Sequence, residues 1–542
     1  MWKVVHSAQP LSFAKARKGM TKLAVQSTSN DFVPAAVVLS GQELTLQQVR
    51  AIAYDFTPVV LAEEAAQRVA DCRTMVENLV ASNKVVYGVT TGFGKFSDVT
   101  ISPEDSAQLQ ANLIRSHACA VGQPLPEATV RALMLLRANA LSKGYSGIRL
   151  TTLQLLLDCL NRRVHPVVPE QGSLGASGDL APLSHLALVL MGEGEALYLG
   201  ERMSGKEALA RAGLKPIQLQ AKEGLSLING TQIMTSIGAL AYIQSQHLAK
   251  MADVIAALTT ECLQGITDAF AEEIQQVRPY PEQIGVAKNL RALLTGSKLT
   301  TRQGELRVQD AYSLRCLPQV HGATRQVLAY VEEKLMIEMN AATDNPLLFM
   351  EEEIVISGGN FHGQPIAFAM DFLKIGMSEL ANISERRTER LVNPALSGGL
   401  PAFLSHQPGI ASGMMIPQYV SASLVSENKV LAHPASVDSI PSSANQEDHV
   451  SMGTTAARHA AQVISNTAKV LAIELICAAE AIQFRGEELL APATRVLFDK
   501  VRALVPPVLT DRSTSADIER LAEALLQGEF LTYIEDVSGP LY

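Results

Sequence analysis

The stretch PIAFAMDFLKIGMSELANISERRTERLV, residues 365–392, predicts one long helix. Its apolar residues recur at alternating spacings of four and three, which places them on one helix face: Ile366, Met370, Leu373, Met377 and Leu380. Pro365 suits the first turn of this helix, and Asn393-Pro394 ends it. Because so long an apolar stripe needs a partner of similar length, the stretch predicts a helix bundle.

Two other segments predict helices that could be those partners. Residues 456–484 are rich in alanine and contain neither Gly nor Pro, and their predicted buried side is Val463, Ile464, Leu471 and Leu475. Residues 327–339 place apolar side chains at every fourth position: Val327, Val331, Leu335 and Met339. Strand signals are confined to short runs near 196–203, 215–219 and 354–357. The fold class predicted is mainly α with minor β.

We expect four consecutive parts along the chain. Residues 1–30 contain five bases, no acid and no apolar h-region, which argues against a secretory signal. We expect residues 1–34 to be a flexible extension, with a transit peptide as the alternative, although the segment has only one arginine. Residues 35–225 form a smaller, loop-rich α region, 226–490 the long-helix bundle, and 491–542 a C-terminal helical tail.

Composition excludes several classes of protein. The chain of 542 residues is 47% hydrophobic and 18% charged, with a net charge of −9, which argues against a nucleic-acid partner. No apolar run reaches the ~18 residues that a membrane span needs. Six widely spaced cysteines without a CxxC pair favour a reducing, cytoplasmic location. The histidines show no metal-ligand spacing, so no metal site is predicted.

Glycine-rich loops between the helices are the places where a site would be assembled. Familiar motifs do not fit them: GFGKFS at 92–97 lacks the third glycine of a dinucleotide fingerprint, and GASGD around Ser177 misses a nucleophile elbow. In Ala176-Ser177-Gly178, small side chains would let the Gly178 nitrogen reach the Ala176 carbonyl carbon. Loss of two waters would then leave an electrophilic methylidene group. By itself, however, such a tripeptide is usually a turn.

The surrounding motifs change that interpretation. GSLGASGDLAPLSH (172–185) resembles the signature of the aromatic amino acid ammonia-lyases and aminomutases, which carry a methylidene-imidazolone (MIO) group. Further motifs follow the family's order over roughly 38–490: YGVTTGFG (87–94), NLIRSHA (112–118), GLSLINGTQ (224–232), VQDAYSLRCLPQ (308–319), NAATDNPL (340–347), GGNFHGQPIAFAMDF (358–372) and SVDSIPSSANQEDHVSMG (436–453). The resemblance implies a helical homotetramer whose active sites combine loops of three subunits.

The resemblance also implies roles for individual residues. MIO would form autocatalytically from Ala176, Ser177 and Gly178, with no external cofactor, and Tyr87 would be the catalytic base. Tyr312 would lie near the MIO ring, and Arg315, three residues away on the same helical face, would bind the substrate carboxylate. The remaining shell would contain Asn229, Gln309 and the pocket wall Phe361. For Asp179, help in cyclisation and a helix N-cap remain open.

Two positions bear on the substrate. His117 follows Ser116 as in histidine enzymes of the family, but tyrosine enzymes also use a histidine here, and Arg115 looks more like those. Glu447 in NQEDHVSMG is the better discriminator, because a carboxylate can accept an imidazole N–H but would be an unpaired buried charge beside a phenyl ring. We therefore expect elimination of ammonia from L-histidine to give trans-urocanate. The alternatives are a tyrosine 2,3-aminomutase or tyrosine ammonia-lyase, and a catalytically silent structural relative.

Overall fold

Helices make up most of the computed structural model, which describes residues 36–82, 85–92, 101–102 and 105–542. The predicted extension 1–34 lies outside the described residues. The helices are α1 (Leu46–Tyr54), α2 (Glu63–Ala81), α3 (Ser106–His117), α4 (Glu127–Ser142), α5 (Leu150–Asn161), α6 (Ala181–Leu190), α7 (Gly205–Arg211), α8 (Glu223–Ile228), α9 (Gln232–Cys262), α10 (Glu272–Gln276), α11 (Pro281–Leu293), α12 (Tyr312–Arg315), α13 (Leu317–Met339), α14 (Gln364–Val392), α15 (Met415–Leu431), α16 (Gly453–Arg485), α17 (Pro492–Leu504), α18 (Ser515–Gln527) and α19 (Leu531–Ser538). The mainly-α prediction is confirmed.

Short strands form small, separate sheets around the helices. They are β1 (Val37–Leu39), β2 (Val59–Leu61), β3 (Val121–Pro124), β4 (Val164–Pro166), β5 (Pro169–Gln171), β6 (Glu195–Tyr198), β7 (Glu201–Ser204), β8 (Leu347–Phe349) and β9 (Ile354–Ile356). β1 pairs with β2 in parallel, whereas β3–β5, β4–β6–β7 and β8–β9 are antiparallel. The strands predicted near 196–203 and 354–357 are confirmed.

The strand predicted at 215–219 is wrong. This segment has no regular secondary structure and pairs with no strand in the described part of the chain, and the Ile217 N–H donates instead to the Leu190 carbonyl at the end of α6. Pro216 lacks an N–H and could not continue a ladder.

The long helices pack through the apolar stripes that the sequence predicted. The five stripe residues of α14, from Ile366 to Leu380, are fully buried, and α14 packs against α9, α13 and α16. The four residues predicted for the 456–484 helix are also fully buried in α16. On α13, Val331, Leu335 and Met339 are buried and Val327 is half-buried.

Three of these helices begin at the same end of the bundle. A Cβ at Gly363, just before α14, would lie 2.4 Å from the Met234 Sδ in the first turn of α9, and one at Gly453, at the start of α16, would lie 2.5 Å from it. A larger residue at either position would require the Met234 side chain to move. The helix α13 is antiparallel to these three. This direction follows from Glu338, near the C-terminal end of α13, which accepts a hydrogen bond from Thr231, just before the start of α9. The positive ends of three helix dipoles therefore converge here.

A buried ionic cluster joins the same helices near their other end. Glu474 interrupts the apolar run of α16, and its carboxylate accepts bonds from Arg387 at 2.6 and 2.8 Å, Thr259 at 2.7 Å and Ser384 at 2.6 Å. Four donors satisfy the charge, which explains how a glutamate is accommodated in this core.

The C-terminal residues form the helices α17, α18 and α19, and all three contact α9. Ala36–Tyr542 behaves as one compact unit by its internal contacts, and the predicted boundaries at 225/226 and 490/491 within it stay predictions. No helix in the described ranges is both long enough and apolar enough to span a bilayer.

Candidate functional site

The Ala176-Ser177-Gly178 loop lies against the turn that precedes α9. Ala176 and Gly178 are buried, and Ser177 is half-buried. Gly178 has a φ of +71° and forms a parallel bridge with Gly230, and the Asp179 N–H donates to the Gly230 carbonyl at 2.8 Å. A Cβ at Gly178 would lie 2.2 Å from that carbonyl oxygen. Position 178 therefore needs glycine for both its conformation and its close contact.

The segment before α16 covers the other side of this loop. The Ser451 hydroxyl donates to the Gly175 carbonyl at 3.0 Å, and Ala176 packs with Val450 and Met452 in a small apolar cluster. Gly175 has a φ of +67°, and a Cβ there would lie 2.1 Å from the Ser451 Oγ. The tripeptide is thus held between the starts of α9 and α16.

Asp179 ties these helix starts together. Its fully buried carboxylate accepts hydrogen bonds from the backbone N–H groups of Ile233 and Met234 at 2.7 and 3.3 Å, and from the hydroxyls of Ser173 at 2.9 Å and Thr454 at 2.6 Å. Burial raises its pKa to about 6, although the four donors act in the opposite direction. Asp179 therefore caps α9 rather than its own helix α6. Its part in cyclisation stays a prediction.

Asn229 lies beside the tripeptide with one side-chain atom unused. It is 1% exposed, and its amide nitrogen donates to the Asn345 carbonyl at 3.2 Å. Its Oδ1 is buried without a hydrogen-bond partner among the described residues. Because a buried unpaired oxygen is costly, this atom is poised to accept a hydrogen bond from a bound group.

His117 and Glu447 are within electrostatic reach of each other. Burial lowers the pKa of His117, while its contact with the Leu113 carbonyl and the negative charge of Glu447 act in the opposite direction. Ser116 Oγ lies 3.0 Å from His117 Nδ1, and the Ser442 hydroxyl donates to Glu447 Oε2 at 2.9 Å. Glu447 is half-buried. A neutral imidazole thus lies near a carboxylate that Ser442 orients.

Arg115, two residues before His117, forms an ion pair with Glu193. Its guanidinium binds both carboxylate oxygens of Glu193, with Nη2 to Oε1 at 2.7 Å and Nε to Oε2 at 3.1 Å. Glu193 lies in the turn after α6. Arg115 is the residue that looked more like those of the tyrosine enzymes, and this ion pair engages its guanidinium.

Phe361 lies on the same side of the bundle as the tripeptide. It is half-buried, and the next residue, His362, stacks on His449 with ring centres 5.7 Å apart. His449 belongs to the segment that carries Glu447. The structure therefore brings the loop of Phe361 to the loop of Glu447.

Gln309, Tyr312 and Arg315 form a second cluster. Arg315 Nη1 donates to Gln309 Oε1 at 2.9 Å, and its guanidinium lies 4.6 Å from the centre of the Tyr312 ring. Tyr312 is 70% exposed, and Gln309 and Arg315 line a cavity of about 350 Å³. The Arg315 Nε is buried and unpartnered within the described residues, so the guanidinium has a free donor.

This second cluster is far from the first within one chain. The Asp310 carboxylate accepts from the Ile266 N–H at 2.6 Å, and Arg307 donates to the carbonyl of Leu263, just past the end of α9. Ser177 and Asn229 lie at the other end of α9. A helix of 31 residues is about 46 Å long. One chain therefore does not bring the two groups of predicted site residues together.

Tyr87 lies in a turn over residues 87–90, half-buried and packed against the main core. The glycine-rich loop that it begins continues into residues 93–100, which lie outside the described residues. Its role as a base stays a prediction.

Arg137 is a buried residue of this site that was not predicted from the sequence. Its Nη1 donates to the Asn229 carbonyl at 2.8 Å and to Gln232 Oε1 at 2.7 Å. The sequence did contain a signal for it: an arginine within the apolar helical run ATVRALMLLRANALS, residues 128–142. Charged side chains are rarely buried unless they have a partner. In the described residues no group of three or more His, Cys, Asp or Glu side chains is arranged to hold a metal ion.

Comparisons with known proteins fit this arrangement. A family model described as "Aromatic amino acid lyase" matches residues 44–503. The chain is 63% identical over 489 residues to the histidine ammonia-lyase of Bacillus subtilis (strain 168), covering 90% of this chain and 96% of that protein.

Solved structures are similar throughout as well. A tyrosine aminomutase from Streptomyces globisporus has a TM-score of 0.90 at 40% identity, covering 94% of this chain and 100% of that one. A histidine ammonia-lyase from Trypanosoma cruzi has a TM-score of 0.86 at 42% identity, covering 93% of this chain and 95% of that one.

Proposed function

Because the chain belongs to the aromatic amino acid lyase family, we propose that it is an ammonia-lyase that converts L-histidine to trans-urocanate and ammonia. The observation that carries the choice of substrate is Glu447, a half-buried carboxylate near the neutral His117 and on the segment that covers Ala176. A carboxylate in this position matches an imidazole N–H donor.

The tyrosine alternative has less support. Arg115, the residue that favoured it, has its guanidinium bound to Glu193. The tyrosine aminomutase of Streptomyces globisporus is 40% identical to this chain, against 63% for the histidine ammonia-lyase of Bacillus subtilis.

The residues around Ser177 fit an MIO group made from the chain. Gly178 adopts a conformation that L side chains rarely reach, Ala176 has little bulk, and Asn229 Oδ1 is a buried acceptor with no partner among the described residues. The group would supply an electrophile that takes the amino nitrogen of the substrate and makes it a better leaving group.

The other residues bind and orient the substrate and move a proton. The planar Arg315 guanidinium would bind the carboxylate in a bidentate manner, with Gln309 and the Tyr312 ring fixing its orientation. Glu447 would accept the imidazole N–H, His117 would contact the ring, and Phe361 would wall the pocket. Tyr87 would remove the β-proton as general base.

The separation of the two clusters supports an assembly of several chains. Arg315 of one copy can approach Ser177 of another, whereas the two ends of α9 in one chain cannot meet. α14 also exposes a row of apolar side chains, Phe368, Phe372 and Ile375, opposite its buried stripe. A second copy would cover such a row. We therefore propose a homotetramer with shared active sites.

Replacing Glu447 by glutamine tests the choice of substrate. The change keeps the size and removes the charge, and a hydrogen bond to a charged group contributes about 1.5–3 kcal/mol. We expect kcat/KM for L-histidine to fall by about 10- to 100-fold. Glu352→Gln, in the exposed turn between β8 and β9, is the matched control and should leave it unchanged. Equal kinetics for both variants would argue against contact between Glu447 and the substrate.

All six cysteines lie in the described part of the chain and are free thiols. This is the state expected in a reducing compartment, which supports the proposal of a cytoplasmic enzyme.

A further inference from the structure

Arg137 is a fully buried cation in the middle of α4. It is 0% exposed, and all its neighbours along the helix from Thr129 to Ser142 are buried as well. Its Nη1 makes both of its hydrogen bonds, to the Asn229 carbonyl and to Gln232 Oε1, on either side of Gly230. Burial lowers the pKa of Arg137 to about 10, and the charges of Asp344 and Asp179 act in the opposite direction, although neither carboxylate is hydrogen-bonded to its guanidinium among the described residues.

Gly230 connects the Arg137 guanidinium to the tripeptide Ala176-Ser177-Gly178. A Cβ at Gly230 would lie 2.5 Å from Arg137 Nη1, so the guanidinium lies directly behind the Gly230 backbone. On its other side Gly230 forms the bridge to Gly178 and accepts from the Asp179 N–H. Gln232 extends the support by donating to Thr343 Oγ1 at 2.8 Å. Gly230 is therefore held between Arg137 and Gly178.

Arg137 is a poor choice for stability alone. Its Nε and Nη2 are buried and have no hydrogen-bond partner in the described ranges, and each unpaired donor costs free energy. Arg131, about two turns earlier on α4, is a buried arginine with more hydrogen-bond partners. Its Nε and Nη1 donate to the carbonyls of Ile52 and Leu160 at 2.9 and 3.2 Å, and Nη1 lies 2.8 Å from His165 Nε2.

We propose that Arg137 is a positioning residue for ring closure: by backing Asn229 and Gly230, it holds Gly178 in the conformation from which its nitrogen reaches Ala176. The inference rests on the proposed function, since it concerns formation of the same MIO group. Closing a strained five-membered ring in the backbone requires the reacting atoms to be held together beforehand. A rigid wall behind Gly230 provides that constraint.

The reaction balances without any co-reactant. The Gly178 nitrogen bonds to the Ala176 carbonyl carbon, and that carbonyl oxygen leaves as water with the amide protons of Ser177 and Gly178. A C=N bond then joins Ala176 to Ser177. The Ser177 hydroxyl leaves as a second water with the Ser177 α-proton, which creates the exocyclic C=C bond.

The test compares Arg137→Met, Arg137→Lys and Arg131→Met in the full-length chain. The readout is the mass of the proteolytic peptide containing residues 176–178, sampled at intervals after synthesis, together with the Tm of each variant. We expect Arg137→Met to form the peptide lacking two waters about tenfold more slowly than wild type or more. Arg131→Met should mature at the wild-type rate whatever its effect on Tm.

Lysine at position 137 keeps the charge and at least one donor, so Arg137→Lys should mature at an intermediate rate. It also keeps the test decisive if the methionine variant does not fold, because wild-type maturation of Arg137→Lys would then overturn the proposal. Wild-type maturation of a folded Arg137→Met would overturn it directly. A wild-type peptide that keeps both waters would instead refute the proposed function, so the two failures are distinguishable.

Discussion

Replacing Ser177 by alanine is expected to reduce turnover of L-histidine by about a thousandfold or more, which corresponds to about 4 kcal/mol of lost transition-state stabilisation. Alanine has no hydroxyl to lose as water, so the exocyclic methylidene cannot form. The fold should persist, because Ser177 is half-buried and alanine is smaller than serine. The measurement is the rate of urocanate formation, with Tm as the check on folding.

Ser245→Ala is the matched control for this variant. Ser245 is buried in α9, and its hydroxyl donates to the Ala241 carbonyl of the same helix at 2.8 Å, far from the tripeptide. Its activity should stay close to that of wild type. Full activity in Ser177→Ala would show that the electrophile does not come from Ser177.

Mixing two inactive variants is expected to restore activity. Ser177→Ala and Arg315→Met each remove one of the two clusters at opposite ends of α9. If each site combines clusters from different chains, random co-assembly of equal amounts gives about a quarter of the sites both intact clusters. Co-expression with two affinity tags, isolation of the mixed species and assay of urocanate formation would measure this fraction.

A second pair of variants provides the control. Asn229→Ala removes a residue of the same cluster as Ser177, since Asn229 precedes the Gly230 that bridges to Gly178. Co-assembly of Ser177→Ala with Asn229→Ala should stay at the level of the parents, because no site then receives an intact first cluster. Inactivity of the mixed Ser177→Ala and Arg315→Met species would contradict shared sites.

The helical part of the fold was predictable because long, regular apolar periods are local signals. The stripe from Ile366 to Leu380 indicated the buried face of α14, and Pro365 and Asn393-Pro394 indicated its ends. The short strands gave weaker signals: three-residue pairs such as β1–β2 depend on contacts between distant segments. The run at 215–219 has strand-like composition, but its backbone hydrogen bonds to α6.

The residues proposed for chemistry were predictable from motifs, whereas their arrangement was not. Ala176-Ser177-Gly178 was identifiable from the motifs that surround it, because its small residues by themselves indicate only a turn. That Arg315 lies at the far end of α9 from Asn229 follows only from the path of the chain. The support given by Asp179 and Arg137 joins segments 54 or more positions apart, and spacing along the sequence carries no such information.

The most direct measurement is the identity of the products when purified protein is incubated separately with L-histidine and L-tyrosine. We expect trans-urocanate and ammonia in equal amounts from L-histidine, and neither coumarate nor β-tyrosine from L-tyrosine. Coumarate or β-tyrosine from L-tyrosine, with no urocanate from L-histidine, would contradict the role of Glu447 and the proposed function with it.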